Sequence, residues 1–451
     1  MKIKKKFKIN IYSLCINKMS IYQSSSVRRI VEPIIDITNN RVEFVLPSNT
    51  ILSPDMRLLN LGVTTSVADK GYNRFAGTAA SVRNVYLTSQ GVTVDQLLDA
   101  NTWIAFKETN KDYKNVVSMG RMKAGHDLGL VYNARTGATD GNQLTAPIAV
   151  KTTKTTAAAS AKGTLSLGEV LPFLKASSIV PTTIYKDLRL VIEYETDIKK
   201  LVTADNVTAT ILSTPFLSVE EMLDSQFIAQ ATGAYKGLGF MCIERDILNA
   251  PTVLATISGV DNTGSNNVDN SFSLQTRAYD NKYVSRLLIV PKALATDSYE
   301  GHSANTVAGG GGLGAVALLK PKLNIVVNGS NKMAGNGAEG YSQIQGLMAD
   351  TWGDVCVSWQ ANTVGLFRQD SVYSQHQDFV SYQGYMGINV NEFIQTLSVN
   401  LDYQSQFSAH QTSQGEKHLA AQNSAYSIMT FAECRKSIMV QPDGSFMISY
   451  M

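Results

Sequence analysis

Few residues in this sequence combine the types and spacings that chemistry requires, and a glycine run comes closest. Residues 309–314 read Gly-Gly-Gly-Gly-Leu-Gly and contain the pattern G-x-G-x-x-G. A dinucleotide site of this type needs a strand before the glycines and a helix after them, because the helix N-terminus binds the pyrophosphate. Lys320-Pro321 interrupts the following stretch, and no Gly-Lys-Ser/Thr sequence indicates a P-loop. We therefore predict a flexible loop.

Oxygen-bearing side chains cluster in one short segment, where calcium binding has to be considered. They are Asp261, Asn262, Asn266, Asn267 and Asp269. The segment lacks the D-x-[DN]-x-[DN]-G spacing of a calcium loop and its closing glutamate. Asn and Asp also favour turns, because their side chains bond to nearby backbone groups. Turns are the favoured interpretation, and no metal site is predicted.

Histidines are too few and too poorly placed for a catalytic centre. His126-Asp127 and the pair Glu416 and His418 each put an imidazole near a carboxylate. Neighbours in sequence rarely point at one site, and neither G-x-S-x-G nor H-E-x-x-H occurs. We predict no catalytic residue and no cofactor, and hence a protein that is not an enzyme.

The cysteines form no recognisable site either. They are Cys15, Cys242, Cys356 and Cys434, without a C-x-x-C pair. This pattern disfavours a disulfide scaffold or a thiolate zinc site and favours a reducing compartment. Cys356 lies between Trp352 and Trp359 in an apolar run, so we predict a buried structural thiol there.

The main charge feature is a lysine-rich start. Residues 1–18 contain six lysines and no acid, whereas the whole chain has a formal net charge of +3, so the residues from Met19 onward carry −3. A mildly acidic body argues against a surface that follows nucleic acid along its whole length. This charge favours contact with anionic lipid or nucleic acid through Lys2, Lys4, Lys5, Lys6, Lys8 and Lys18.

Other interpretations of this start stay open. A secretory signal is disfavoured because Asn10, Ser13 and Asn17 interrupt the apolar stretch, and a mitochondrial presequence would favour Arg over Lys. The segment is alternatively a disordered tip, or is untranslated if Met19 is the first residue.

Composition indicates a globular subunit with extensive contacts. Hydrophobic residues make up 44% of the chain, enough for a real core, while charged residues make up 17%, below the usual level of about 25%. A low charge density weakens the electrostatic repulsion between copies of the chain. The longest clean apolar run, Leu313–Leu319, is far shorter than the roughly 20 residues of a membrane-spanning helix.

The elements that would position any site are mostly short strands. Alternation or apolar runs predict strands at residues 41–46, 56–63, 187–195, 286–290 and 323–327, the last ending in an Asn328-Gly329 turn. Residues 437–450, with the turn Gln441–Gly444, predict a hairpin. Capping boxes predict short helices after Thr93, Ser166 and Ser218.

Many short strands predict an all-β fold, and the length requires two units, since a sandwich takes about 100 residues and a domain rarely exceeds roughly 300. We expect a basic N-terminal arm (1–31) and two β halves without sequence repetition, 32–224 and 225–451. Long loops are predicted at Lys151–Thr164, Asp261–Asn270, Ala308–Gly314 and residues 371–430.

Several segments resemble the double jelly-roll major capsid proteins, in the Polinton-like virus and virophage branch of the adenovirus-hexon lineage. The resemblance covers about a third of the chain and is a pattern of residue types, centred on Leu165–Leu174, Ile179–Pro181 and Asp187–Tyr194. Leu46–Asn49 through Leu58–Leu61, Pro215–Leu223 and the hairpin at Pro442-Asp443-Gly444 also suit that layout.

The resemblance implies a fold and a function. The fold would be two consecutive eight-stranded jelly rolls with short helices in the connections. The function would be that of a viral major capsid protein, a homotrimer whose pseudo-hexagonal capsomers tile an icosahedral shell. It would be assembled inside the host cell, next to other capsomers and to penton and minor capsid proteins. As aromatic anchors of the subunit interface we expect Tyr373, Phe379, Tyr382, Tyr385 and Phe393.

Two other functions stay open. A minor capsid, penton or spike protein would differ in its oligomeric state and contain a single jelly roll. A carbohydrate-binding β-sandwich would need clustered tryptophans, and the chain has only three.

Overall fold

In the computed structural model, the described residues are 26–34, 40–65, 76–109, 162–201, 210–249, 265–293, 313, 315, 319–333, 337–352, 384–408 and 426–450. The strands of the first half are β1 (Ser26–Val31), β2 (Arg41–Val45), β3 (Ile51–Leu52), β4 (Arg57–Leu61), β5 (Val63–Thr65), β6 (Val82–Ser89), β7 (Val92–Leu97), β8 (Gly163–Ser166), β9 (Val180–Pro181), β10 (Leu188–Tyr194), β11 (Thr210–Leu212) and β12 (Phe216–Met222). Those of the second half are β13 (Gly237–Asn249), β14 (Ser265–Thr276), β15 (Tyr283–Ala293), β16 (Leu319–Val327), β17 (Ser330–Asn331), β18 (Ala338–Glu339), β19 (Met386–Phe393), β20 (Leu397–Ser408), β21 (Tyr426–Val440) and β22 (Phe446–Tyr450).

Short helices lie in the connections. They are α1 (Ala100–Thr109), α2 (Pro172–Ala176), α3 (Ile198–Leu201), α4 (Ser225–Ala234) and α5 (Gly340–Trp352), with 3-10 turns at Thr78–Ser81 and Leu167–Glu169. The helix α4 connects the two halves, between β12 and β13.

The first half is a two-layered β structure. In one layer β12 pairs with β1 along one edge and with β3 and β4 along the other, and β9 and β8 pair with β3 and β4. The short strands β3 and β4 thus act as one interrupted strand, as do β8 and β9. The other layer has the order β2-β10-β6-β7. The strands β5 and β11 pair with each other in a separate two-stranded sheet. Without them, and with each interrupted strand counted once, the layers have the orders 1-8-3-6 and 2-7-4-5 along the chain, which is the eight-stranded jelly-roll arrangement.

The second half repeats this order. One layer is β13-β21-β15-β19 and the other is β14-β20-β16-β17, which again gives 1-8-3-6 and 2-7-4-5. The additional strands β22 and β18 extend the layers beside β21 and β16. The all-β fold class with two consecutive jelly rolls is therefore confirmed.

Burial patterns explain why these segments are strands. Leu188, Leu190 and Ile192 of β10 point into the core of the first half, whereas Arg189 and Glu193 are only half-buried. The residues Leu287 to Val290 of β15 are all fully buried, so both faces of that strand are covered. An uninterrupted apolar run is the sequence signature of such a doubly covered strand. The predicted Asn-Gly turn joins β16 and β17 with positive φ at both residues, as this tight turn requires.

Two predicted helix starts are wrong, because burial overrides the capping-box pattern. The segment Thr93–Gln96 lies in strand β7, and α1 begins only at Ala100. The box that starts at Ser218 lies in strand β12, and α4 is capped instead by Asp224, which accepts from the backbone N–H of the second and third helical residues. A polar residue followed three positions later by Glu or Gln also occurs within strands, so this pattern alone does not identify a helix start.

Two predicted loops contain strands. Residues 265–270, within the segment assigned to turns, form the start of β14. Residues 371–430, predicted to be loop because they are rich in Gln, Ser and Tyr, contain β19, β20 and the start of β21. Their alternate residues, such as Leu397, Val399 and Leu401, are buried in the core, so period-2 patterning outweighs the polar composition.

The segment assigned to the basic arm also contributes to the fold. Ser26–Val31 forms β1 at the edge of the first half. Ion pairs join it to β12, with Arg29 Nε 2.6 Å from Glu221 Oε2. Its exposed side chains, including Val27 and Ile30, give it no strand-like alternation, so the sequence did not indicate it.

Candidate functional site

Among the described residues, aromatic side chains from both halves pack together at the joint between them. Trp103 and Phe106 of α1 extend from the first half, and Trp352 of α5, Tyr385 and Phe431 of β21 meet them from the second. Ring centroids lie 5.5 Å apart for Trp103 and Phe431, 5.7 Å for Trp103 and Trp352, and 5.2 Å for Phe106 and Tyr385. Each aromatic pair contributes about 0.5–1.5 kcal/mol beyond the burial of its area. The joint is therefore packed like a domain core.

A cation covers this aromatic cluster. The guanidinium of Arg286 lies 4.2 Å from the centroid of the Trp352 ring. It donates to both carboxylate oxygens of Glu433, at 2.7 and 2.8 Å, and to the carbonyl oxygen of Thr351. A planar group that stacks and bonds at two points fixes the orientation of α5 against β15 and β21.

A second set of aromatic contacts joins α2 and the connection between β9 and β10 to strands β13 and β22. Phe173 lies 5.7 Å from Phe240 of β13, and Tyr185 lies 5.2 Å from Phe446 of β22. The hydroxyl groups of Tyr185 and Tyr235 are hydrogen-bonded at 2.9 Å. The first half thus packs against the first and last strands of the second half.

A largely buried ion pair links the same elements. Arg245 of β13 contacts Asp99, the residue that precedes α1, and their side chains are 20% and 6% exposed. Asp99 has a φ of 49° and its backbone N–H donates to the side chain of Asn84. A buried pair of this kind contributes little net stability, but loss of one partner leaves an uncompensated charge.

A group of titratable residues lies nearby at the contact of β7 with β13. The carboxylate of Glu244 accepts from the Tyr450 hydroxyl at 2.6 Å and lies 3.5 Å from Lys282 Nζ. Asp95 is fully buried and accepts from the backbone N–H of Phe173 at 2.8 Å. Burial raises the pKa of Asp95 from 3.8 to about 7, against the opposing effect of that hydrogen bond.

The described cysteines are structural. Cys242 and Cys434 are directly paired in neighbouring strands, and both are free and buried. Burial raises the pKa of the Cys434 thiol to about 12 and that of Cys242 well above its usual value. Thiols that stay protonated are poor nucleophiles and poor metal ligands.

Within the described part of the chain, no group of three or more His, Cys, Asp or Glu side chains is placed to hold a metal ion. A search of the same residues for a helix long and apolar enough to cross a membrane finds none.

Most of the predicted site residues lie outside the described residues, and two are placed by the structure. Lys2, Lys4, Lys5, Lys6, Lys8, Lys18, Tyr373, Phe379 and Tyr382 lie outside the described residues, as do His126, His418, Cys15 and Cys356. Phe393 is 46% exposed at the end of β19 and is free to form an outer contact. Tyr385 is 2% exposed and packs within the joint, so its ring is used inside the subunit.

The residues of the joint were not identified from the sequence. Trp103, Phe106 and Phe431 belong to distant segments, and nothing in their local spacing indicates that they meet. The one available signal is the apolar run of β15, which indicates a strand covered on both faces without naming what covers it.

Comparisons with known proteins support the fold. No known protein family and no curated protein matches the sequence. The structure is similar to that of PBCV-1 VP54, fitted into a cryo-EM reconstruction of the virophage Sputnik, with 12% identity and a TM-score of 0.53 over 94% of this chain and 97% of that chain. It is also similar to the mavirus major capsid protein, with 10% identity and a TM-score of 0.51 over 94% and 90%. With the strand order repeated in both halves, these matches show that the chain has a double jelly-roll fold, shared with PBCV-1 VP54 and the mavirus major capsid protein.

Proposed function

We propose that this chain is a viral major capsid protein that forms homotrimers. The observation that supports this most strongly is the presence of two jelly rolls of identical strand order, joined through a buried aromatic and ionic contact. Three such subunits place six similar β units around one axis, which gives a pseudo-hexagonal capsomer. These capsomers would tile an icosahedral shell together with penton and minor capsid proteins, assembled in the host cell.

The two halves correspond in this proposal to separate jelly-roll domains, of which the second is 225–451 and the first, proposed from its residue types as 32–224, also includes β1 (Ser26–Val31). A penton or minor capsid protein fits less well, because such a protein would contain a single jelly roll and this chain contains two. A carbohydrate-binding sandwich would not require a second unit either.

The subunit contacts of the trimer would be large, beyond about 2,000 Å² in total as in obligate assemblies. Phe393 supplies an exposed aromatic anchor, and Tyr373, Phe379 and Tyr382 remain candidates beside it. A chain with 17% charged residues loses little electrostatic solvation in such contacts.

Size-exclusion chromatography with light scattering tests the oligomeric state of the full chain. A trimer of 49.0 kDa subunits gives about 147 kDa, and Phe393→Asp should shift the mass towards the monomer. Val92→Asp is a control at another exposed apolar position, in the first half. A stable wild-type monomer at micromolar concentration would exclude the capsomer.

The basic arm would face the interior of the shell, towards membrane or genome. The six lysines before residue 19 support this, because the rest of the chain is mildly acidic. Deletion of residues 1–18 should weaken particle assembly, or binding to anionic vesicles or DNA at low salt. Replacing the six lysines by arginine should preserve binding, and replacing them by glutamine should abolish it. Unchanged assembly and binding after deletion, or virion protein that begins at Met19, would contradict the role.

A further inference from the structure

A grid of polar side chains covers part of the outer face of the second half. Cross-strand pairing of β14, β20 and β16 aligns them in two adjacent rows: Ser273, Asn400 and Asn324, and beside them Ser271, Asp402 and Lys322. The alternate residues of the same strands, such as Leu401 and Leu323, are fully buried on the core face. The two rows therefore share the opposite face.

The residue types in this grid are unusual for β-strands. Asn and Asp are depleted in strands because they compete with the backbone for hydrogen bonds. Nevertheless Asn324, Asn400 and Asp402 lie together in the interior of paired strands. Positions where a sequence opposes the structure it forms are where a function is expected.

These residues line a cavity of about 350 Å³. The volume lies at the lower end of the range of small-molecule sites. The side-chain carbonyl oxygens of Asn324 and Asn400 are buried without a hydrogen-bond partner. An acceptor buried without a partner is unfavourable, and a ligand hydroxyl group would supply the missing hydrogen bond after rotation of the amide towards the cavity.

The cation of the cavity is already paired, and its carboxylate is already hydrogen-bonded. Lys322 Nζ lies 2.8 Å from Glu339 Oε1, and Asp402 accepts a short hydrogen bond from the Ser271 hydroxyl. The one aromatic residue of the lining, Phe272, is 5% exposed in the core. The cavity thus presents hydroxyl and amide groups without an unpaired cation for phosphate or an apolar wall for lipid.

We propose that this cavity binds a neutral saccharide, of one or two sugar rings, whose hydroxyl groups bond to Asn324, Asn400 and Asp402. None of the lining residues belongs to the joint between the halves, so a substitution in the cavity leaves that joint unchanged.

Saturation-transfer difference NMR on the full chain tests the site with glucose, galactose, mannose and N-acetylglucosamine as probes. At least one of them should give saturation transfer, and Asn400→Val or Asn324→Val should weaken its affinity by about tenfold. Both replacements favour strands, so folding is expected to persist. Ser398→Val is the matched control, because Ser398 lies one row further along β20 and outside the lining.

The proposal is overturned if no probe gives saturation transfer, or if both asparagine variants bind as tightly as the wild type. The mass of each sample, measured in parallel, separates this outcome from assembly: a trimer that binds no sugar refutes the site alone.

Discussion

At the scale of the residue, Asp95 links the stability of the fold to pH. Its carboxyl group has a pKa of about 7 in the folded chain against 3.8 in an exposed one, because burial disfavours the charge. Between these values the folded state retains a proton that the unfolded state has released. The free energy of unfolding therefore decreases as pH rises through this window, by at most about 4 kcal/mol, and the cost is fully present above pH 7.

We predict that Asp95→Asn flattens this dependence between pH 5 and 8, measured by urea unfolding. At pH 5 the variant should be somewhat less stable than the wild type, because the amide cannot accept both backbone N–H bonds, whereas at pH 8 this loss is offset because the amide buries no charge. Asp55→Asn, at an exposed carboxylate of the same half, is the control and should retain the wild-type slope. An equally steep slope in Asp95→Asn would show that another group is responsible.

Gly387 of β19 is required by the close approach of α5. A Cβ atom there would lie 2.5 Å from Trp352 Cδ1 and 2.7 Å from both Met348 Sδ and Thr351 Oγ1. Gly387→Ala should therefore destabilise the chain by about 1–3 kcal/mol in chemical denaturation. Gly346→Ala, in α5 with no atom within 4 Å of the added Cβ, should stabilise it by about 0.5–1 kcal/mol. Equal effects of the two changes would refute the tight packing.

At the scale of the element, the contact of β13 with α1 depends on a charge pair. Arg245→Met leaves the buried Asp99 with only the more exposed Arg83, 3.9 Å away, to compensate its charge, and we predict a loss of about 1–3 kcal/mol. Asp99→Asn in addition should recover most of it, since Asn tolerates the positive φ of this residue. Equilibrium unfolding of the wild type, both single variants and the double variant measures the coupling. Additive losses would mean that the two side chains do not interact.

Elements with strong local signals were predictable, and those decided by tertiary contacts were not. Alternation in β10 and the turn chemistry of Asn328-Gly329 identified those strands correctly, because each pattern has one structural solution. The pattern Ser218–Glu221 fits both a capping box and a strand, and the pairing of β12 with β1 and β4 decides it. The 13-residue helix α5 was missed although the sequence carries its signal: Ile344, Met348 and Trp352 recur four residues apart, as on one face of a helix, and all three are buried.

At the scale of the whole molecule, the duplication is visible in the strand order and not in the sequence. Two jelly rolls need only buried residues at alternate positions, and many sequences meet that requirement. The joint was not predictable at all, since Trp103 and Phe431 meet across more than half of the chain. The candidate sugar cavity likewise arises from three strands that only the fold brings together.

Electron microscopy of the purified full chain tests the central claim most directly. Two-dimensional class averages should show trimers of about 147 kDa with pseudo-hexagonal outlines, because each subunit contributes two similar jelly rolls. Isolated two-lobed monomers, or rings with five-fold symmetry, would contradict the assignment as a major capsid protein.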